Sequence, residues 1–254
     1  MPWRWHNHWM FALCMVVNLF LVAWYLYTNT GQVFHNFHVI DQLAMLSINL
    51  PGPPIADYFF YNISSKTIWL PLIATVAVVM FRGSVNWRQA LVLFLVSVAV
   101  VALCDQASGV VKRLVERYRP SRDTDINYLL HYVNNYRGGR FGFVSSHAAN
   151  CFGEGVWLSL LIRRHRCNIA LFALAVLVCY SRIYLGVHYP LDVVCGACLG
   201  MLIGALAYVA TVRFIGDSIH NFSTTTNSLA VAWAVVVTVA IIAAISAAGI
   251  FLPR

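Results

Sequence analysis

Residues 181–192 read Ser-Arg-Ile-Tyr-Leu-Gly-Val-His-Tyr-Pro-Leu-Asp. They join two apolar runs, 168–185 and 190–212. Each run approaches or exceeds the ~20 residues that a helix needs to cross the hydrocarbon core of a bilayer. Arg182, His188 and Asp192 are therefore ionisable groups at the edge of a membrane, where such groups need a partner or a purpose. Pro190 suits the first turn of a helix, which places Asp192 in that same turn, four residues after His188. A carboxylate there can hold one imidazole nitrogen and fix the tautomer. The other nitrogen is then a free nucleophile or base.

The flanking composition agrees with a membrane setting. The chain has 254 residues, of which 60% are hydrophobic and 10% are charged. Its mean hydropathy is +0.71. A soluble domain carries roughly a quarter charged residues. The difference excludes a secreted soluble enzyme, a disordered regulator and a DNA-binding domain, so no nucleic acid partner is expected. Apolar runs are predicted as spans at 9–27, 65–81, 89–111, 146–162, 168–185, 190–212 and 228–252. They are continuous rather than alternating, which points to helices and not to a barrel. The fold class is all-α: a polytopic transmembrane bundle of six to seven spans, forming one domain over 1–254. Between the first two spans, a short interfacial helix is predicted before Pro51-Gly52-Pro53-Pro54, with a turn at that break. The cysteines, including the Cys195/Cys198 pair, lie in or beside apolar runs, as small apolar fillers do. His6 and His8 are read as solvated interfacial residues, not as metal ligands.

Three polar fragments lie at span ends. They are Lys112-x6-Arg119-Pro120, Ser145-Ser146-His147 and Ser181-Arg182-x5-His188-x3-Asp192. Successive spans run antiparallel, so all three fragments share one membrane face. They supply three cations (Lys112, Arg119, Arg182), two hydroxyls at a helix start (Ser145, Ser146) and two histidines (His147, His188). A helix N-terminus favours an anion, and arginine forks match phosphate oxygens. A cationic cradle with one nucleophilic histidine and a second as acid suits phosphoryl transfer.

These fragments resemble the three signatures of the type 2 phosphatidic acid phosphatase (PAP2) superfamily, over about 65–212. That superfamily includes membrane lipid phosphate phosphatases and is related to bacterial acid phosphatases and vanadium haloperoxidases. The second signature departs from the family's Pro-Ser-Gly-His, reading Val144-Ser145-Ser146-His147 here. The run at 228–252 lies outside the common six-span pattern. The resemblance implies that Lys112, Arg119, Ser145 and Arg182 bind phosphate, with the amide of Ser146. It implies that His188 attacks phosphorus to give a phosphohistidine, Asp192 orients His188, and His147 protonates the leaving alkoxide. It implies no metal and no cofactor, since three cations and helix N–H groups meet the developing charge.

Glu154 and Asp105 fall well inside predicted spans, where a carboxylate is expensive. They are read either as a structural hydrogen-bonded pair or as supports that steer the basic residues. Arg113, Arg117, Arg122, Arg137 and Arg140 are read as a solvated, phospholipid-facing surface or an electrostatic funnel. The loops of the opposite face carry Arg82 and Arg88, then Arg163, Arg164 and Arg166, with no acid, and Arg4 and Arg213 belong to that face. Short Arg-rich loops mark the cytoplasmic side, so the motif face is expected outside. The expectation is a phosphatase of the bacterial inner membrane acting on a lipid mono- or diphosphate. Undecaprenyl diphosphate, lipid A, phosphatidylglycerophosphate and phosphatidic acid are the substrate classes considered. A phosphotransferase using the same site is the alternative. A transporter leaves the His-x3-Asp unexplained, and an intramembrane serine protease lacks a Gly-x-Ser-x-Gly.

Overall fold

The computed structural model describes residues 17–18, 32–65, 69–216 and 228–252. The predicted first span, apart from residues 17 and 18, lies outside the described residues, as do Arg4, His6 and His8. The described chain forms eight α-helices: α1 Gln32–Ile48, α2 Pro54–Ile63, α3 Leu70–Gly83, α4 Trp87–Val115, α5 Ser146–Ile162, α6 His165–Tyr184, α7 Pro190–Ile215 and α8 Ser228–Ala247. No strand occurs among the described residues beyond a bridge between Tyr118 and Phe141. Among the described residues, four helices are long and apolar enough to cross a membrane: α4, α6, α7 and most of α8. The shorter α3 and α5, of 14 and 17 residues, fall on two more of the predicted spans, so that α3 to α8 match six of the seven.

Local chemistry accounts for the helix ends. Asn86 accepts the Gln89 N–H at 2.9 Å to start α4, an N-cap. Glu116 ends α4 in the left-handed region at φ 52°, with its N–H on Lys112 O at 3.0 Å. Prolines open α2 and α7, where the missing N–H costs nothing. The predicted single helix before Pro51 is joined by a second, α2, that the Pro-rich break starts rather than merely interrupts. Its apolar side packs against α6 and α8.

The bundle is organised around α5, which contacts α4, α6 and α7. The α5–α7 contact is a backbone-to-backbone one. A Cβ on Gly196 would lie 2.4 Å from Ser145 O; on Gly200, 2.1 Å from Ala149 O; on Gly204, 2.1 Å from Gly153 O. Three glycines at four-residue spacing form one stripe of α7, and lipid-embedded helices associate through such close approach. Trp157, Leu158, Leu161 and Ile162 of α5 fill the core with Leu93 of α4 and Val178 of α6. The extra C-terminal run, α8, is part of this core through Val231, Val235 and Ile242. Asn62 ties its end down: its Nδ2 donates to Ser246 Oγ at 3.2 Å and Ile250 O at 2.8 Å, and its Oδ1 accepts Leu252 N–H at 2.8 Å.

The connection from α4 to α5 folds back over the motif face. Gly142 N–H donates to Arg117 O at 2.9 Å, Arg119 N–H to Arg140 O at 3.2 Å, and Ser121 Oγ to Arg137 O at 2.6 Å.

Candidate active site

The ends of α4 and α6 and the starts of α5 and α7 meet as the antiparallel order requires, and Ser181–Tyr189 is buried throughout. His188, in the turn before α7, is 1% exposed. Its Nδ1 lies 3.4 Å from Asp192 Oδ2, at the long end of hydrogen bonding. The same oxygen accepts the Tyr189 N–H at 3.1 Å, which caps α7. On the other edge of the ring, Arg119 Nη1 lies 2.8 Å from Nε2 and also donates to Val187 O at 2.9 Å. A ring that donates from Nδ1 to the carboxylate and accepts at Nε2 satisfies both contacts. Nε2 is then the lone-pair nitrogen, and the Arg119 guanidinium stands against it.

Lys112, Arg119, Arg182 and His147 all act on His188 through their charge. Burial, and then these cations, hold His188 well below the ordinary histidine pKa of 6.5. The imidazole is neutral at neutral pH. The sign of the pH dependence follows: protonation removes the lone pair, and the cations postpone it. The acid limb of kcat/KM that belongs to His188 is therefore expected below pH 6.5, with a plateau through neutrality; a limb above 6.5 would contradict this.

The cations are held apart from carboxylates. Arg182, 1% exposed, donates through Nη1 to Ser64 Oγ and through Nη2 to Tyr136 OH at 3.4 Å. Burial, and then Arg182, lower Arg119 to about 10. Arg119 and Arg182 each keep a buried Nε–H that has no hydrogen-bond partner among the described residues. Unsatisfied buried donors on clustered cations call for an anion with several acceptor oxygens.

At the start of α5, the two serines divide their work. Ser145 is the N-cap: its Oγ accepts Ala148 N–H at 3.5 Å, and its own N–H donates to Asp192 O at 2.9 Å. Ser146 Oγ takes the Lys112 ammonium and sits 2.7 Å from Ser108 Oγ. His147 follows on the same turn, partly exposed. The described structure thus brings together Lys112, Arg119, Ser145, Ser146, His147, Arg182, His188 and Asp192.

Glu154 is not joined to this cluster. It accepts Ser97 Oγ at 2.5 Å, and Ser97 Oγ accepts Trp157 Nε1 at 3.0 Å, so it braces α4 on α5. Asp105 is exposed on α4 and reaches Lys112 only through its charge. The two carboxylates do not form a pair. Of the basic loop residues, Arg113, Arg122 and Arg140 are exposed as expected, and Arg137 stacks on Tyr132 at 3.4 Å. Arg117 is a correction to the reading of a solvated surface. Its side chain is 7% exposed and ion-paired to both Asp41 and Asp192. Asp41 was not singled out by sequence. The Gly196-x3-Gly200-x3-Gly204 spacing was a legible signal for close helix packing.

Fold and site together define an all-helical membrane protein with a histidine–carboxylate pair set in a cationic pocket. Residues 90–216 match the PAP2 superfamily, and the chain belongs to that family. The lipid A 4'-phosphatase of Bacteroides thetaiotaomicron is 36% identical over 171 residues, covering 66% of this chain and 76% of that protein. The lipid A 4'-phosphatase of Porphyromonas gingivalis is 30% identical over 184 residues, covering 70% and 78%. The crystal structure described as the first transmembrane PAP2-type phosphatidylglycerolphosphate phosphatase, from Bacillus subtilis, shares the fold. Its TM-score is 0.60 at 23% identity, covering 80% of this chain and 96% of that one.

Proposed function

We propose that the protein hydrolyses a phosphate monoester of an envelope lipid, of the lipid A class, through a phosphohistidine at His188 Nε2. The observation that carries this reading is the placement of His188: a carboxylate stands on Nδ1, Arg119 stands on Nε2, and Lys112 and Arg182 act on the ring through their charge. The two lipid A 4'-phosphatases among its relatives support the substrate class.

In the first step Nε2 attacks phosphorus and the bond from phosphorus to the lipid oxygen breaks. His147 gives its proton to the leaving alkoxide. In the second step His147 takes a proton from water, the water oxygen attacks phosphorus, and the N–P bond breaks to release inorganic phosphate. Lys112, Arg119, Arg182 and the N–H groups at the start of α5 meet the charge on the equatorial oxygens. The Ser146 hydroxyl fixes Lys112 in place. A lipid hydroxyl could take the phosphoryl group in place of water, which is the phosphotransferase version of the same chemistry.

The Arg-rich short loops after α3 and α5 support a bacterial inner-membrane protein with its site on the outer side. The test is phosphate release by purified protein from a panel of lipid A, phosphatidylglycerophosphate, undecaprenyl diphosphate and phosphatidic acid, with and without EDTA. Release is expected, greatest from lipid A and unchanged by chelation. Right-side-out vesicles should hydrolyse added lipid without detergent. Release from none of the panel would overturn hydrolysis, and release only from inverted vesicles would overturn the orientation.

A further inference from the structure

Arg117 lies between two of the phosphate-site cations in sequence, yet it turns away from the phosphate pocket and sits behind Asp192. Its Nη1 donates to Asp192 Oδ1 at 3.0 Å, and its Nη2 donates to Asp41 Oδ2 at 2.7 Å. The other oxygen of Asp41 accepts the Leu191 N–H at 3.0 Å, so Asp41 of α1 caps the first turn of α7 from outside. The Arg117 guanidinium stacks 4.2 Å over the Tyr189 ring. The Tyr189 hydroxyl donates to Asp123, which also accepts Gln42 Nε2 at 3.1 Å and lies 3.2 Å from His38 Nε2. His38 Nδ1 returns to Arg117 Nη2 at 3.2 Å.

We infer that Arg117 and Asp41 are positioning residues for the reaction at His188: Arg117 pairs with the Asp192 carboxylate, and Asp41 fixes Arg117 and the first turn of α7, so that Asp192 is aimed at Nδ1. This rests on the proposed role of His188. When Nε2 bonds to phosphorus the imidazole becomes cationic, and a negative group must already stand on Nδ1. Asp192 is fully buried. A buried carboxylate stays charged only when it is paired and hydrogen-bonded. Arg117 supplies the pair. Arg117 takes Oδ1 and leaves Oδ2 for His188 Nδ1 and the Tyr189 N–H. Asp41 holds the other prong of the Arg117 fork and the Leu191 N–H, which fixes the guanidinium against the start of α7. The two-pronged fork is needed because a lysine cannot reach both carboxylates in one plane. Helix α1 thereby becomes part of the catalytic apparatus. Its inner residues Asp41 and Gln42 are buried, while Phe37, Ile40 and Leu43 are exposed on its other side.

The test compares kcat, KM and the inhibition constant for inorganic phosphate in Arg117→Met, Arg117→Lys and Asp41→Asn. Wild type and His188→Ala come first, to establish hydrolysis. Misplacing a reacting group by about 1 Å costs on the order of 100-fold. Arg117→Met and Asp41→Asn are expected to lower kcat by about 10- to 100-fold, with KM and the phosphate constant within about 3-fold of wild type. Arg117→Lys should fall between Arg117→Met and wild type. Arg119→Ala, which touches the pocket, should instead raise the phosphate constant. The nearly isosteric Asp41→Asn keeps the test open if Arg117→Met does not fold. An active wild type whose variants keep wild-type kcat would overturn this inference alone. So would a phosphate constant that rises in step with the loss of kcat. A wild type that releases no phosphate overturns the inference together with the proposed function.

Discussion

His188→Ala is expected to lose about 10⁶ in kcat for lipid phosphate release, leaving only a small remnant above the uncatalysed background. The residue is the proposed bond-forming atom, so its loss removes a covalent step rather than tuning one. Deleting the nucleophile of a covalent hydrolase typically costs about 10⁶ in kcat, and a remnant of roughly 10³ over water survives from binding and electrostatics. The cationic pocket stays intact in the variant, because Lys112, Arg119 and Arg182 keep partners that do not involve the ring: Ser146, Val187 O and Ser64. The variant should therefore still bind inorganic phosphate while failing to turn over. Wild type quenched in base during turnover should retain a phosphoryl group that is lost in acid, as an N–P bond requires. Substantial release by His188→Ala would sink the histidine mechanism.

Gly200→Ala unfolds the protein or strips it of activity, although alanine is the better helix former. The intrinsic gain in a helix is about 1 kcal/mol. Against it stands a Cβ placed 2.1 Å from Ala149 O and 2.9 Å from Ala149 Cα. Those neighbours are backbone, so no rotamer change relieves the overlap and the two helices must separate. Overpacking of this kind costs about 3 kcal/mol. Separation also moves Ser145 and His147, at the top of α5, away from Asp192, at the top of α7. Gly155→Ala is the internal control, since its Cβ would meet only Phe172 at 3.7 Å, an ordinary contact. Thermal unfolding in detergent should show Gly155→Ala at or above wild type and Gly200→Ala far below it. Equal melting temperatures would contradict the backbone contact.

Much of the architecture is legible along the chain because hydropathy is a local property. The runs behind α3 to α8 stand out residue by residue, and antiparallel order alone predicts that Lys112, Ser145, Arg182 and Asp192 share a face. Helix α2 is less visible, since ten residues after a Pro-rich break carry little periodic signal. Arg117 is invisible for a different reason. A buried arginine and a solvated one look alike in a polar loop, and the pairing with Asp41 spans 76 residues. Glu154 shows the same limit: its cost inside a span is readable, but its partner Ser97, 57 residues away, is not.

Sequence by itself determined that the chain is a helical membrane protein and that three polar fragments meet at one surface, because span length, apolarity and parity of crossing suffice for both. The stripe Gly196, Gly200 and Gly204 is present in the sequence, but only its contact gives it a role. Tertiary structure decided which helix that stripe meets, which arginines gather around His188 and which stands behind the Asp192 carboxylate. Those outcomes depend on distances between residues far apart in the chain. Only packing to contact, with every buried charge seeking a partner, chooses among them.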